Sequence, residues 1–302
     1  MHGVLREPIE TRTDDGWVLR GELVRPEGAP VAAAAIGHAM MVDRRTMDRR
    51  GAGLATTLAE HGIAALNFDL RGHGESGPSA REGGRWSYDA FVRSDLPAIV
   101  RAARDAFPGV PAALVGHSLA GHAALIGAGL LPDRAPDGIV ALAANLWLPR
   151  FEPRLDRKLL KGATLVGWAA LTLPRGWFDP RPVRMGSAAE PWPYVWQFAR
   201  NYVRNELTSL DGRDDYVDAL RRAEVPVLSI ASTGDRLLAN PASVARFLAP
   251  MTRARITHRT VAARDVSPPP DHMQLVVDER CRPIWVEAAQ WIRALGGPGS
   301  GR

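Results

Sequence analysis

The 302-residue chain contains one cysteine, Cys281, and only two lysines, Lys158 and Lys161, among its 38 basic residues. A lone thiol closes no intramolecular bridge, so a disulfide-stapled scaffold is excluded. The net charge of +5 rests almost wholly on arginine, and no dense basic cluster interleaved with aromatics occurs, so nucleic acid is not an expected partner. Long apolar runs are missing too. The longest weakly polar stretches, residues 31–36 and 162–173, fall short of the ~20 residues needed to cross a bilayer, so no stable membrane insertion is expected. Residues 1–16 carry charges where a secretory signal needs an apolar stretch, which makes the cytoplasm the expected compartment.

What is present suits a soluble enzyme-sized globule: 46% hydrophobic and 24% charged residues, enough to bury a large core. Apolar runs at 31–36 (VAAAAI), 63–68 (IAALNF), 111–116 (PAALVG), 138–144 (GIVALAA) and 225–231 (VPVLSIA) read as strands buried on both faces. Residues 16–24 alternate apolar with polar and predict an antiparallel edge strand, and a last strand is expected over 255–262. Helical spacing predicts helices over 47–61, 87–107 (with Pro97 as a kink or break), 119–131, 241–249 and 280–295. Alternation of such elements implies an α/β fold with a mostly parallel central sheet flanked by helices.

Residues 145–206 interrupt this rhythm. They hold five of the nine tryptophans, Trp147, Trp168, Trp177, Trp192 and Trp196, and predict an inserted, mainly helical cap on a core formed by 1–144 and 207–295. The cap also carries ten basic against five acidic residues, which leaves the rest of the chain balanced. The Gly-rich end, 296–302, is expected to be a disordered tail.

The sharpest chemical signal is Gly116-His117-Ser118-Leu119-Ala120-Gly121, between a predicted strand and a predicted helix. A nucleophile elbow needs small residues beside its serine, because the strained turn leaves no room for larger ones. A serine hydroxyl needs a base within reach and a carboxylate to orient that base. Asp235 follows the strand 225–231, and His272 follows the last strand, both at carboxyl ends where open α/β sheets bind ligands. Asp265 and Asp271 are alternative acids. Of the other histidines, His258 lies inside a strand, and His117 and His122 flank the serine too closely to serve as its base. The backbone N–H groups of Met40 and Leu119 are the expected oxyanion donors.

These segments, with Asp69-Leu70-Arg71-Gly72-His73-Gly74-Glu75-Ser76, resemble the α/β-hydrolase fold, in particular the serine aminopeptidase S33-like group that includes monoacylglycerol lipase-like enzymes. The resemblance implies that residues 69–76 shape a turn, that the cap covers Ser118, and that a small acyl substrate is the partner. Two positions depart from the family pattern: Ala39 where the oxyanion loop usually has glycine, and Ala120 in the elbow. The expected activity is hydrolysis of a carboxylic ester, less readily an amide, with no metal or organic cofactor. Candidate pocket residues are His38, His117, Trp147, Trp192 and Trp196. An acyltransferase or cyclising enzyme using the same site, and a non-catalytic binder on the same scaffold, are the alternatives.

Overall fold

The apolar runs become neighbouring strands of one sheet. The computed structural model describes residues 3–296. Its strands are β1 (Val4–Arg12), β2 (Val18–Pro26), β3 (Ala32–Gly37), β4 (Ile63–Phe68), β5 (Ala112–His117), β6 (Gly138–Leu142), a short ribbon of β7 (Trp177–Phe178) with β8 (Glu190–Pro191), then β9 (Val227–Ser232) and β10 (Ile256–Val261). The eight-stranded sheet runs β1-β2-β4-β3-β5-β6-β9-β10. Pairings from β4 through to β10 are parallel, and β1 and β2 join antiparallel at one end. Every residue of β3, β4, β5, β6 and β9 is buried, as the helices on both faces demand.

The helices are α1 (Leu54–Glu60), α2 (Tyr88–Ala90), α3 (Leu96–Ala106), α4 (Leu119–Leu130), α5 (Leu155–Thr172), α6 (Trp192–Arg204), α7 (Tyr216–Arg222), α8 (Pro241–Leu248), α9 (Gln274–Val277) and α10 (Arg282–Ala294). Three expectations need correction. The strand near 16–24 is not the edge, because β1 lies outside it; β1 has one charged, largely exposed face and a proline at Pro8, which an edge strand tolerates. The helix expected from residue 47 starts only at Leu54, because Asp48 turns its carboxylate onto the amides of Gly53 and Thr56 and caps the helix there. The helix expected over 87–107 is three consecutive segments, α2, a π-helical stretch over Phe91–Asp95, and α3, with Pro97 the second residue of the last, so the change from π to α turns falls where the proline lacks its N–H.

Strand register decides what meets at the carboxyl edge of the sheet. Gly37 pairs with Gly116, His117 with Leu142, Leu142 with Ile230, and Val261 with Ser232. The loops after β3, β5, β6, β9 and β10 therefore leave the sheet side by side. Between β6 and β9 the chain builds α5, the β7–β8 ribbon, α6 and α7. Its anchorage includes a buried ion pair, Lys161 Nζ to Glu152 Oε2 at 2.7 Å, whose carboxylate also accepts the Ser243 hydroxyl at 3.1 Å from α8. Among the described residues no helix is long and apolar enough to cross a membrane. The tail expected at 296–302 lies outside the described residues except for Gly296.

Candidate active site

Ser118 sits between β5 and α4 with φ 50° and ψ −107°, a conformation that side chains rarely adopt. Close packing enforces it. A Cβ on Gly116 would stand 2.4 Å from the Gly121 amide nitrogen, so the turn closes only with glycine there. The departure at Ala120 is accommodated from across the sheet: a Cβ on Gly37 would lie 2.6 Å from the Ala120 methyl, and Gly37 has none.

Asp235 and His272 converge from the loops after β9 and β10. His272 Nδ1 lies 2.6 Å from Asp235 Oδ2, and the carboxylate also accepts the amides of Leu238 and Ala239, each at 2.9 Å. Burial pushes the Asp235 carboxyl up, but the His272 hydrogen bond and charge, helped by the two amides, outweigh it and hold the group below its ordinary value. The two loops are joined by the Ser232 hydroxyl, which donates to the Pro270 carbonyl at 2.6 Å. Neither the Met40 nor the Leu119 amide donates to a protein acceptor among the described residues.

Ser118, His272 and Met40 share the wall of one cavity of about 200 Å³. The inserted segment supplies Trp147, Leu165, Trp168, Met185 and Phe198 to the same wall. Trp147 is held by its indole N–H, which donates to the Leu238 carbonyl at 2.9 Å. Asn145 Nδ2 donates to the same carbonyl at 3.0 Å, leaving Asn145 Oδ1 sealed without a partner.

Four expected pocket residues lie elsewhere. His38 is fully buried; its Nδ1 donates to the Ala39 carbonyl and its Nε2 accepts the Leu70 amide, so it braces the loop after β3. His117 is also sealed and donates from Nε2 to the His272 carbonyl at 3.0 Å, supporting the loop that carries His272. Burial and the charge of nearby His272 lower its pKa to about 3, so it stays neutral. Trp192 and Trp196 stack on each other at 5.4 Å, and Trp196 faces a groove between α5 and α6, outside the cavity containing Ser118. Trp168 takes the place expected of them; its spacing of three from Leu165 puts the two on one helix face, but only the fold turns that face to the cavity.

The turn at residues 69–76 is structural, as the resemblance implied. Asp69 accepts the amides of Arg44 and Glu75, and buried Arg71 pairs with buried Asp95. One residue of this turn reaches the site indirectly. His73 Nε2 lies 3.1 Å from Glu190 Oε1 with both side chains sealed, and that same oxygen accepts the Met41 amide at 2.9 Å. The Met41 carbonyl in turn accepts the amides of Ser187 and Ala188. The loop carrying Met40 is thus gripped by the inserted segment, a contact with no trace in the sequence.

Solved structures with this fold include an esterase of Pyrococcus furiosus, 16% identical with a TM-score of 0.61 over 97% of this chain and 92% of that one. Est1E from Butyrivibrio proteoclasticus, with ferulic acid bound, is 15% identical with a TM-score of 0.62 over 93% and 97%. A monoacylglycerol lipase of Paleococcus ferrophilus is 17% identical with a TM-score of 0.55 over 97% and 99%. No curated protein matches the sequence. The family model described as serine aminopeptidase, S33, matches residues 46–263, more than half of the chain. With the eight-stranded sheet and the elbow after β5, that match makes this chain a member of the serine aminopeptidase S33 family of α/β-hydrolases.

Proposed function

We propose that the protein is a serine hydrolase that cleaves a carboxylic ester, less readily an amide, through an acyl-enzyme. The observation that carries this reading is the Asp235–His272 hydrogen bond at 2.6 Å beside a strained Ser118 on the same cavity. With Nδ1 engaged by the carboxylate, His272 keeps Nε2 for the Ser118 proton. Ser118 Oγ attacks the carbonyl carbon as its proton passes to His272, and the Met40 and Leu119 amides take the developing oxyanion. Collapse expels the alcohol, which receives the proton from His272. Water then repeats the sequence on the acyl-enzyme and frees the acid and Ser118.

Residues 145–206 act as a cap that shapes the pocket and shields it from water. A cavity of about 200 Å³ walled by Trp147, Trp168 and Phe198 suits a short or aromatic acyl group better than a long chain. Est1E, of the same fold, holds ferulic acid, an aromatic acid.

The test is turnover of p-nitrophenyl esters of graded chain length, together with labelling by a fluorophosphonate. Wild-type protein is expected to be labelled and to favour short chains. Ser118→Ala should lose labelling and at least about 10⁴-fold in kcat. Labelling or turnover that survives Ser118→Ala overturns the acyl-enzyme. Product analysis with an added alcohol separates hydrolysis from acyl transfer.

A further inference from the structure

We propose that His122 is a specificity-determining residue, whose Nε2–H is a fixed hydrogen-bond donor in the cavity wall and selects esters bearing an oxygen acceptor a few bonds from the scissile carbonyl. This rests on the hydrolase reading above and names the substrate class for that site.

His122 stands one helical turn after Ser118 on α4, its amide donating to the Ser118 carbonyl at 3.0 Å. It lines the cavity yet is only 4% exposed. Its Nδ1 lies 2.8 Å from the hydroxyl of Tyr88, which is 1% exposed. His122 is that hydroxyl's only partner among the described residues. A sealed phenol with one partner must donate its proton to it, since the reverse arrangement would bury an unsatisfied O–H. Nδ1 is therefore an acceptor. Burial, with the charge of His272, lowers the imidazole pKa to about 3, so the ring is neutral and its single proton lies on Nε2.

That N–H has no protein acceptor among the described residues. It is not sealed either: the sealed unpartnered side-chain atoms include His117 Nδ1 and Asn145 Oδ1 but not His122 Nε2. Phe198, which lines the same cavity with its ring 6.4 Å from the imidazole, offers no acceptor. A donor in such surroundings favours a ligand oxygen and disfavours a methylene at the same place. Ser118 and His122 line the same cavity of about 200 Å³, so the acceptor belongs a few bonds from the carbonyl carbon that Ser118 attacks. An ether, hydroxyl or keto oxygen on either the acyl or the alcohol portion meets that description.

The experiment compares kcat/KM for ester pairs that differ in one atom, each normalised to its alkaline hydrolysis rate. In the acyl arm, p-nitrophenyl hexanoate is set against analogues with ether oxygen replacing the methylene at position 3, 4 or 5. In the alcohol arm, butyl hexanoate is set against 2-methoxyethyl hexanoate. Wild-type protein should favour the ether in one arm by about 10-fold or more. His122→Leu should bring that ratio to near 1, and Tyr88→Phe, which frees the imidazole proton to occupy either nitrogen, should lower it partway. Ratios near 1 for wild type in both arms, or a preference that survives both substitutions, overturn the proposal. If neither arm is turned over, the reading of the reaction fails separately. His122 is then judged by calorimetric affinity for hexanoic acid against its ether analogues, where equal affinities overturn its role.

Discussion

Asp235 shows how one carboxylate serves two ends at the residue scale. It orients His272 and also closes its own loop by accepting the Leu238 and Ala239 amides. Asp235→Asn keeps the shape but offers an N–H₂ where acceptors are needed, and favours the wrong imidazole tautomer. On the proposed mechanism kcat should fall by about 10⁴-fold, with a melting temperature lowered by only a few degrees, as read by ester turnover beside thermal unfolding. An activity within 10-fold of wild type would show that Asp235 does not orient the base. Position in the strand order singled out Ser118, Asp235 and His272 in the sequence. The other histidines were not legible in that way, because the role of an imidazole is set by what each nitrogen meets. His38 meets the Leu70 amide and His117 the His272 carbonyl, each from a distant segment, and His122 meets Tyr88.

At the scale of elements, the parallel strands were readable because burial on both faces leaves no polar position, which produces runs such as IAALNF in β4. β1 lacked that signal, and the loop bearing Met40 depends on a partner some 150 positions away. Glu190, the first residue of β8, is sealed against His73, Trp86 and the Met41 amide. Glu190→Ala strands the Met41 N–H and frees the loop, so kcat should fall by about 10²-fold while KM changes by less than about 3-fold. Glu190→Gln can keep an oxygen facing the Met41 amide, with its NH₂ then set against the Trp86 indole N–H, and should recover part of that loss. A fall in KM and kcat together, without rescue by glutamine, would reduce Glu190 to a packing role.

For the whole molecule, the buried histidines predict the acid limb of stability. Burial holds His38, His117 and His122 neutral, with lowered pKa values, whereas the unfolded chain protonates each below about 6.5. Stability from these groups is complete above that pH and is lost as pH falls, because the unfolded state binds more protons. Near pH 5, His122→Leu should therefore flatten the dependence of unfolding free energy on pH by about 1.4 kcal/mol per unit, measured by denaturant titration. Equal slopes would mean that His122 is charged in the folded protein. His73 carries the opposite sign: burial opposes its charge, but Glu190 prevails and raises its pKa, so its contribution fades as pH rises through the raised value. Part of the basic content of residues 145–206 is engaged within the protein: Arg154 and Arg181 pair with aspartates two residues away, Lys161 with buried Glu152, and Arg200 with the carbonyls of Ser209 and Leu210, just beyond the segment.

The linear chain determined the alternation of buried strands and helices, and with it the sheet and the chain order of Ser118, Asp235 and His272. Those features rest on local periodicity and on residues placed directly after strands. Tertiary structure alone decided which tryptophans face Ser118. Trp192 and Trp196 turn toward each other and Trp168 toward the cavity, because the packing of α5 on α6 settles which face each helix presents, while Trp147, before α5, is held at the cavity by the Leu238 carbonyl. It also decided the Glu190–Met41 and Tyr88–His122 contacts. A hydrogen bond between segments 34 or 149 residues apart leaves no periodic mark, since a single polar side chain reads the same in sequence whether it meets solvent or a sealed partner.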